Sequence, residues 1–178
     1  FNFGNLDNVM EALHRPGHFN GVAQVVSKLF NMVNPDIAFF GQKDFQQVAV
    51  IRELVRQMGS SVKIIACPII REKDGLAMSS RNQLLEPKIR KEASVIYASI
   101  SSAAAKISGL DIPSIKNYVK RKIEEKEGFR LEYFEIADER ELIPVTSRKE
   151  MKPGLRYFGC IAVRAGQIRL IDNIEIPL

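Results

Sequence analysis

Ile37-Ala38-Phe39-Phe40-Gly41-Gln42-Lys43-Asp44-Phe45-Gln46-Gln47 passes from apolar to polar across a single glycine. Its first four residues suit a strand covered on both faces, as in a parallel sheet. Past Gly41, the residues Val48, Ile51, Leu54, Val55 and Met58 recur at helical spacing, and Gly59 stands where a helix commonly ends in a left-handed glycine. Val62 to Ile70 is a second β-rich run. Strand, glycine turn, helix and strand make a parallel βαβ unit with a right-handed crossover.

Upstream, residues 1–19 mix Gly, Asn, Asp and His and read as a loop with one helical turn. Val22, Val25, Val26, Leu29, Phe30 and Val33 then predict a helix, stopped by Asn34-Pro35-Asp36. Downstream, composition changes after Arg81. Pro87 starts a long predicted helix carrying Ile89, Ala93, Ile96, Ile100, Ala104 and Ile107, which Gly109 ends. Asp111 can cap a second helix with Ile112, Ile115, Val119 and Ile123 on one face. Its Lys116, Lys120, Arg121 and Lys122 read as a solvated face. Leu131–Ala137, Phe158–Arg164 and Ile168–Ile176 read as strands, with Ala165-Gly166-Gln167 as a hairpin turn. The second half is thus helices on a small antiparallel sheet, and the expected boundary lies near residues 80–87.

The 178 residues are 46% hydrophobic, enough for a real core, and carry a net charge of +5. Lysines and arginines are scattered among acids, which argues against nucleic acid as a partner. Cys67 and Cys160 imply neither a metal site nor a disulfide framework, as befits a reducing cytoplasm, and Cys67 in its apolar run reads as a buried thiol. No apolar stretch reaches the length of a membrane span, and no signal peptide is visible. The chain opens on Phe1, not Met, and is read as a fragment or processed piece.

Two segments can do chemistry. Gly41-Gln42-Lys43-Asp44 lies beyond the carboxyl end of the first strand, where open α/β sheets bind ligands. Gly41 lets a ligand approach the backbone, the helix start favours anions, and Lys43 adds a point charge suited to phosphate. Asp44 either caps the helix or accepts hydrogen bonds from ribose hydroxyls. A plain turn with an N-cap is the competing reading. Asp74-Gly75-Leu76-Ala77-Met78-Ser79-Ser80-Arg81-Asn82 follows the second strand. Its hydroxyls, backbone N–H groups and guanidinium make a phosphate clamp, against the plainer reading of a surface loop with a Ser cap. Together the two suggest transfer at a nucleotide phosphate, with positive groups stabilising charge in the transition state. Of Gln46 and Gln47, at least one should orient a hydroxylated substrate, unless both are ordinary first-turn residues.

His14-Arg15-Pro16-Gly17-His18 resembles the His-x-Gly-His signature of class I adenylyl transferases, but its histidines are four apart, not three, with no strand before them. It is not read as that signature. Arg15 and His18 remain candidates for lining a pocket.

Arg15-Pro16-Gly17-His18-Phe19, Gly41 through Gln47 and Asp74 through Asn82, in this order and at these intervals, resemble the pantoate–β-alanine ligase (pantothenate synthetase) family, and the resemblance runs essentially the whole chain. It implies an α/β fold: residues 1–82 as the C-terminal part of a Rossmann-like nucleotide-binding domain of the class I adenylyl transferase type, and residues 83–178 as a small α+β C-terminal (lid) domain with an antiparallel sheet. It implies that pantoate is activated by ATP as pantoyl adenylate, releasing pyrophosphate. β-Alanine then displaces AMP to give pantothenate, a coenzyme A precursor, with Mg2+ assisting the first step. Lys43 would contact phosphate, with Gly41 and Asp44 on the ribose side. Gln42 replaces a glutamate common in the family, with little effect expected. Gln47 would bind pantoate, and Ile70 would lie beside the adenine. Met78, Ser79, Ser80 and Arg81 match the loop corresponding to the Lys-Met-Ser-Lys-Ser signature of related synthetases. Ala77 stands where that signature has its first lysine, so Lys43 and Arg81 supply the charge.

The family's own His-x-Gly-His block, another pantoate-binding glutamine and the expected Mg2+ ligands belong to an N-terminal segment, about the first third of the enzyme, that is not in this sequence. The expectation is a half-site, silent alone, with no metal ligands of its own. The strand at Ile37–Phe40 is expected to have a bare edge and uncovered apolar surface, so that the fragment self-associates, whereas the full-length enzyme is a cytoplasmic homodimer. The alternatives are another Rossmann-type nucleotidyl transferase, which the run Phe45-Gln46-Gln47 argues against, and a non-catalytic nucleotide-binding module.

Overall fold

Apolar periodicity and three helix-breaking positions shape the N-terminal region. The computed structural model describes residues 1–177, which form two units: Phe1–Pro68 with Arg140–Ile143, and Ile69–Glu139 with Pro144 to the end of the described chain. In the first unit, a one-turn helix α1 (Glu11–His14) precedes α2 (His18–Val33), which starts after Gly17 and stops where Asn34 turns left-handed. Strand β1 (Ile37–Gly41), helix α3 (Phe45–Gln57) and strand β2 (Lys63–Cys67) follow. β1 and β2 pair in parallel, from Ile37 opposite Lys63 to Gly41 opposite Cys67, so the expected βαβ unit is present. α3 buries Val48, Ile51 and Leu54. It ends in a Schellman motif: Gly59, at φ +60°, donates to Arg56 O and Ser60 donates to Val55 O, satisfying two terminal carbonyls.

β1 pairs only with β2 among the described strands, and Phe39 is 65% and Ile37 45% exposed, so the strand is not covered on both faces as its apolar run alone suggests and shows the bare edge and uncovered apolar surface expected of this stretch. Likewise α2 buries Phe19, Ala23 and Phe30 but leaves Val25, Leu29, Met32 and Val33 exposed. Its apolar arc is wider than the neighbours in its own unit can cover. For the same reason Cys67, at the end of β2, is half-buried rather than buried.

The second unit begins with a hairpin arm. Ile70 O accepts from Met78 N–H, and Leu76 O accepts from Glu72 N–H, around a turn at Gly75. A short 3-10 helix (Ser80–Leu84) leads into α4 (Pro87–Glu92) and α5 (Val95–Lys106). The single long helix expected from Pro87 is thus two. The backbone tightens at the junction, where Ala93 N–H bonds to Arg90 O and Ile96 N–H to Ala93 O, three residues back instead of four. α6 (Ile112–Glu124) is capped by the Asp111 carboxylate accepting from Ser114 N–H, and it buries Ile112, Ile115, Val119 and Ile123. β3 (Phe129–Asp138), β4 (Tyr157–Ala165) and β5 (Ile168–Ile176) form an antiparallel sheet in that order, and Gly166-Gln167 turns between the last two. α5 and α6 pack on this sheet around Ile96, Ile100, Ile115, Phe134, Ile136 and Ile161. Residues 69–82 belong to this unit, not to the one before it, because Leu76 joins its core and Arg71 pairs with Asp172 of β5.

Candidate functional site

In the first unit the chain leaves β1 at Gly41 and enters α3 at Phe45. The turn is tied by Gln42 N–H to Cys67 O (2.8 Å) and Asp44 N–H to Gly41 O (3.2 Å). A Cβ on Gly41 would meet nothing within 4 Å, so the space above this backbone is open. Asp44 precedes the helix, yet its side chain caps nothing there. Its carboxylate lies instead 3.6 Å from the Lys43 ammonium. The plain N-cap reading of Asp44 is therefore not realised.

The two glutamines divide. Gln46 is buried; its amide donates to Leu6 O (2.8 Å) and Val9 O (2.9 Å), and its oxygen accepts from Glu11 N–H (3.0 Å). It fastens the irregular N-terminal segment onto α3, satisfying backbone groups that would otherwise be buried without partners. Gln47 is half-buried one position on, and its amide has no hydrogen-bond partner among the described residues. Arg15 is exposed, and His18 is the first residue of α2. Partial burial and the Arg15 guanidinium push the His18 imidazole below its usual range, while the carboxylates of Glu11 and Asp44 pull the other way. At neutral pH His18 is accordingly a neutral hydrogen-bonding group. Gly41–Asp44, Gln47, Arg15 and His18 all lie in this unit, and Asp44 is close enough to His18 to act on it electrostatically.

Ile70 and Met78–Arg81 lie in the second unit. Ile70 is exposed, and its carbonyl holds Met78 N–H at 2.9 Å. Ser79 Oγ accepts from Arg81 N–H (3.2 Å), which caps the short 3-10 helix. The Ser-cap reading of this loop thus holds for Ser79. The backbone N–H groups of Ser79 and Ser80 and the Ser80 hydroxyl have no partner among the described residues. Arg81 is exposed and donates to Arg169 O at 3.3 Å. Two successive amides, a hydroxyl and a guanidinium form a donor set for an anion.

Sequence reasoning missed Gln46 as an anchor and Arg71, Gly75, Asn82 and Asp172 as supports of the second loop. Gly75 carried a signal: a glycine between charged and apolar residues often marks a positive φ, here +92°. Arg71 and Asp172 carried none, standing 101 residues apart.

No group of three or more His, Cys, Asp or Glu able to hold a metal forms among the described residues. No described helix is long and apolar enough to cross a membrane.

Residues 2–175 match the family model for pantoate-beta-alanine ligase. Pantothenate synthetase of Bacteroides thetaiotaomicron is 48% identical over 175 residues, covering 98% of this chain and 61% of that protein. Pantothenate synthetase of Azobacteroides pseudotrichonymphae is 49% identical over 174 residues, with the same 98% and 61% coverage. The crystal structure of pantothenate synthetase from Thermus thermophilus matches with a TM-score of 0.89 and 38% identity, over 98% of this chain and 62% of that one. A pantoate-beta-alanine ligase from Francisella tularensis, complexed with beta-gamma ATP and beta-alanine, matches with a TM-score of 0.66 and 31% identity, over 97% of this chain and 56% of that one. The chain spans about three fifths of the length of the curated relatives it matches (61%).

Proposed function

Because the chain belongs to the pantoate–β-alanine ligase family, we propose that its residues serve the ATP-dependent condensation of pantoate with β-alanine. A pantoate carboxylate oxygen attacks the α-phosphorus of ATP, the bond to the bridging oxygen breaks, and pyrophosphate leaves. The amine of β-alanine then attacks the pantoyl carbonyl, and AMP departs as the amide forms and the amine proton is released. In this reading the first unit is the C-terminal part of a nucleotide-binding domain and the second a smaller companion domain, within a cytoplasmic homodimeric enzyme. Lys43, with Ser79, Ser80 and Arg81, stabilises charge on the phosphate oxygens; Gly41, Gln42, Asp44, Ile70 and Met78 bind the rest of the nucleotide. Arg15 and His18 line the pocket.

The observation that carries the reading is the unpartnered, half-buried amide of Gln47, one turn into the helix that Lys43 and Asp44 precede. A solvent-reachable amide with no partner in its own chain is free to hydrogen-bond a hydroxylated ligand. Measured in an active ligase carrying this sequence, Gln47→Ala should raise the KM for pantoate about ten- to a hundredfold in pantoate-dependent ATP–pyrophosphate exchange, with the KM for ATP unmoved. Exchange that ignores pantoate, or a variant that shifts only the ATP constant, would sink the assignment.

The polypeptide by itself is expected to self-associate. Val25, Leu29, Met32 and Val33 are exposed on α2, as are Ile37 and Phe39 on β1. Such surface favours contact between copies. Sedimentation velocity from micromolar to hundreds of micromolar should show the weight-average mass rising, and Phe39→Lys should suppress the rise. A constant monomer mass over that range would contradict this.

A further inference from the structure

We propose that Arg71 and Asp172 are positioning residues for the Met78–Arg81 loop, setting the geometry with which it meets phosphate. The inference rests on the phosphate-binding reading of that loop.

The hairpin Ile70–Met78 delivers the chain to the loop, and Arg71 straps it down. Its Nη1 donates to Gly75 O (3.1 Å) and Asp172 Oδ2 (2.6 Å); its Nη2 donates to Asp172 Oδ1 (3.1 Å) and Asn173 O (3.3 Å). One planar guanidinium thus binds the hairpin turn and β5 at once, a geometry that a lysine cannot reproduce. The same guanidinium lies 3.8 Å from the centroid of the Tyr97 ring on α5. Gly75 meets that ring too: a Cβ there would come within 2.6 Å of Tyr97 Cδ1. The turn is therefore held against α5 and β5 together. Asp74 adds an ion pair to Arg90 of α4.

The far end of the loop is fixed by Asn82. Its buried amide donates to Ala77 O (3.1 Å) and Glu72 Oε1 (3.3 Å), which draws the chain after Arg81 back onto the hairpin. Met78–Arg81 span two clamped points on one body. Arg81 then reaches Arg169 O on the strand that carries Asp172. Donors must be preorganised to stabilise phosphate charge without reorganisation, and supporting contacts do this.

A clamp of this kind must be separated from a mere stability device. Asp172 is only 2% exposed on its side chain, so removing Arg71 alone would take the bidentate guanidinium away from a buried carboxylate. Removing both partners avoids that, because a buried ion pair can often be replaced by apolar groups at little cost in stability. The experiment uses an active ligase carrying this sequence, with ATP as titrant and the amide NMR shifts of Ser79, Ser80 and Arg81 as readout. Arg71→Met/Asp172→Leu should melt within a few degrees of wild type yet bind ATP at these amides at least tenfold more weakly, with faster hydrogen exchange across the loop. Arg71→Lys keeps the charge and should fold in any case. It should weaken the same titration severalfold, with an intermediate exchange rate. Wild-type affinity in both variants overturns the proposal. If these amides do not respond to ATP in the wild-type ligase, the phosphate-loop reading itself fails, and the clamp's role in it goes with it.

Discussion

Incubated with ATP, magnesium, pantoate and β-alanine, the 178-residue polypeptide is expected to form no detectable pantothenate. The proposed reading places a nucleotide-binding His-x-Gly-His pair outside this stretch, which holds only two histidines, His14 and His18, four positions apart. The fold separates them further. His14 ends α1, the left-handed Gly17 intervenes, and His18 opens α2. They do not sit on one glycine turn as the signature requires. The proposed phosphate donors Lys43, Ser80 and Arg81 remain, but each donor missing from an anion site typically costs about 10²–10³ in rate. Two missing imidazoles would place turnover at least about 10⁴-fold below the ordinary enzymatic scale of roughly 10 per second. Coupled detection of AMP, backed by mass spectrometry of pantothenate, would read this. Product at anything near an ordinary rate would refute the half-site picture.

The second large effect is expected at Lys43. In an active ligase carrying this sequence, Lys43→Met should lower kcat for pantoyl adenylate formation by about 10²–10³-fold, with the KM for pantoate little changed. The Lys43 ammonium is partly shielded from solvent beside Asp44. It lies at the start of α3 and adjoins the open backbone of Gly41. A charge in that position contributes most when the transferring phosphoryl group gains charge, which is why kcat should fall and not KM alone. Single-turnover measurement of AMP-linked intermediate would separate chemistry from product release. A loss smaller than tenfold, or one confined to the KM for ATP, would reduce Lys43 to a ground-state contact.

What could be read from the sequence was local. The α6 stripe, the three C-terminal strands and the glycine turns at Gly59 and Gly166 follow from periodicity and backbone freedom, and all of them formed. The candidate chemical blocks could also be picked out, because their residues are contiguous, and their roles stand as proposed. What could not be read depends on distant partners. Gln46 and Gln47 differ in role only because α3 turns the first toward the carbonyls of Leu6 and Val9. Nothing in Ile89, Ala93 and Ile96 announces the tightened turn between α4 and α5. The exposure of Phe39 followed not from its apolar run, which by itself suggests cover on both faces, but from the expectation that neighbouring strands are absent from this stretch. In the second loop the residue types were legible, but not the division of labour by which Ser79 serves as a cap and Ser80 stays open.

The Arg71–Asp172 strap also bears on the order in which this protein is made. Synthesis runs from N to C, and the two partners are separated by 101 residues, so the Met78–Arg81 loop leaves the ribosome long before β5 exists. Until β5 has been translated and has paired with β4, Arg71 has no carboxylate to grip. A nascent chain halted in α6 would carry every residue of the loop without its shape. If the loop binds phosphate as proposed, it acquires its binding shape only once β5 has formed.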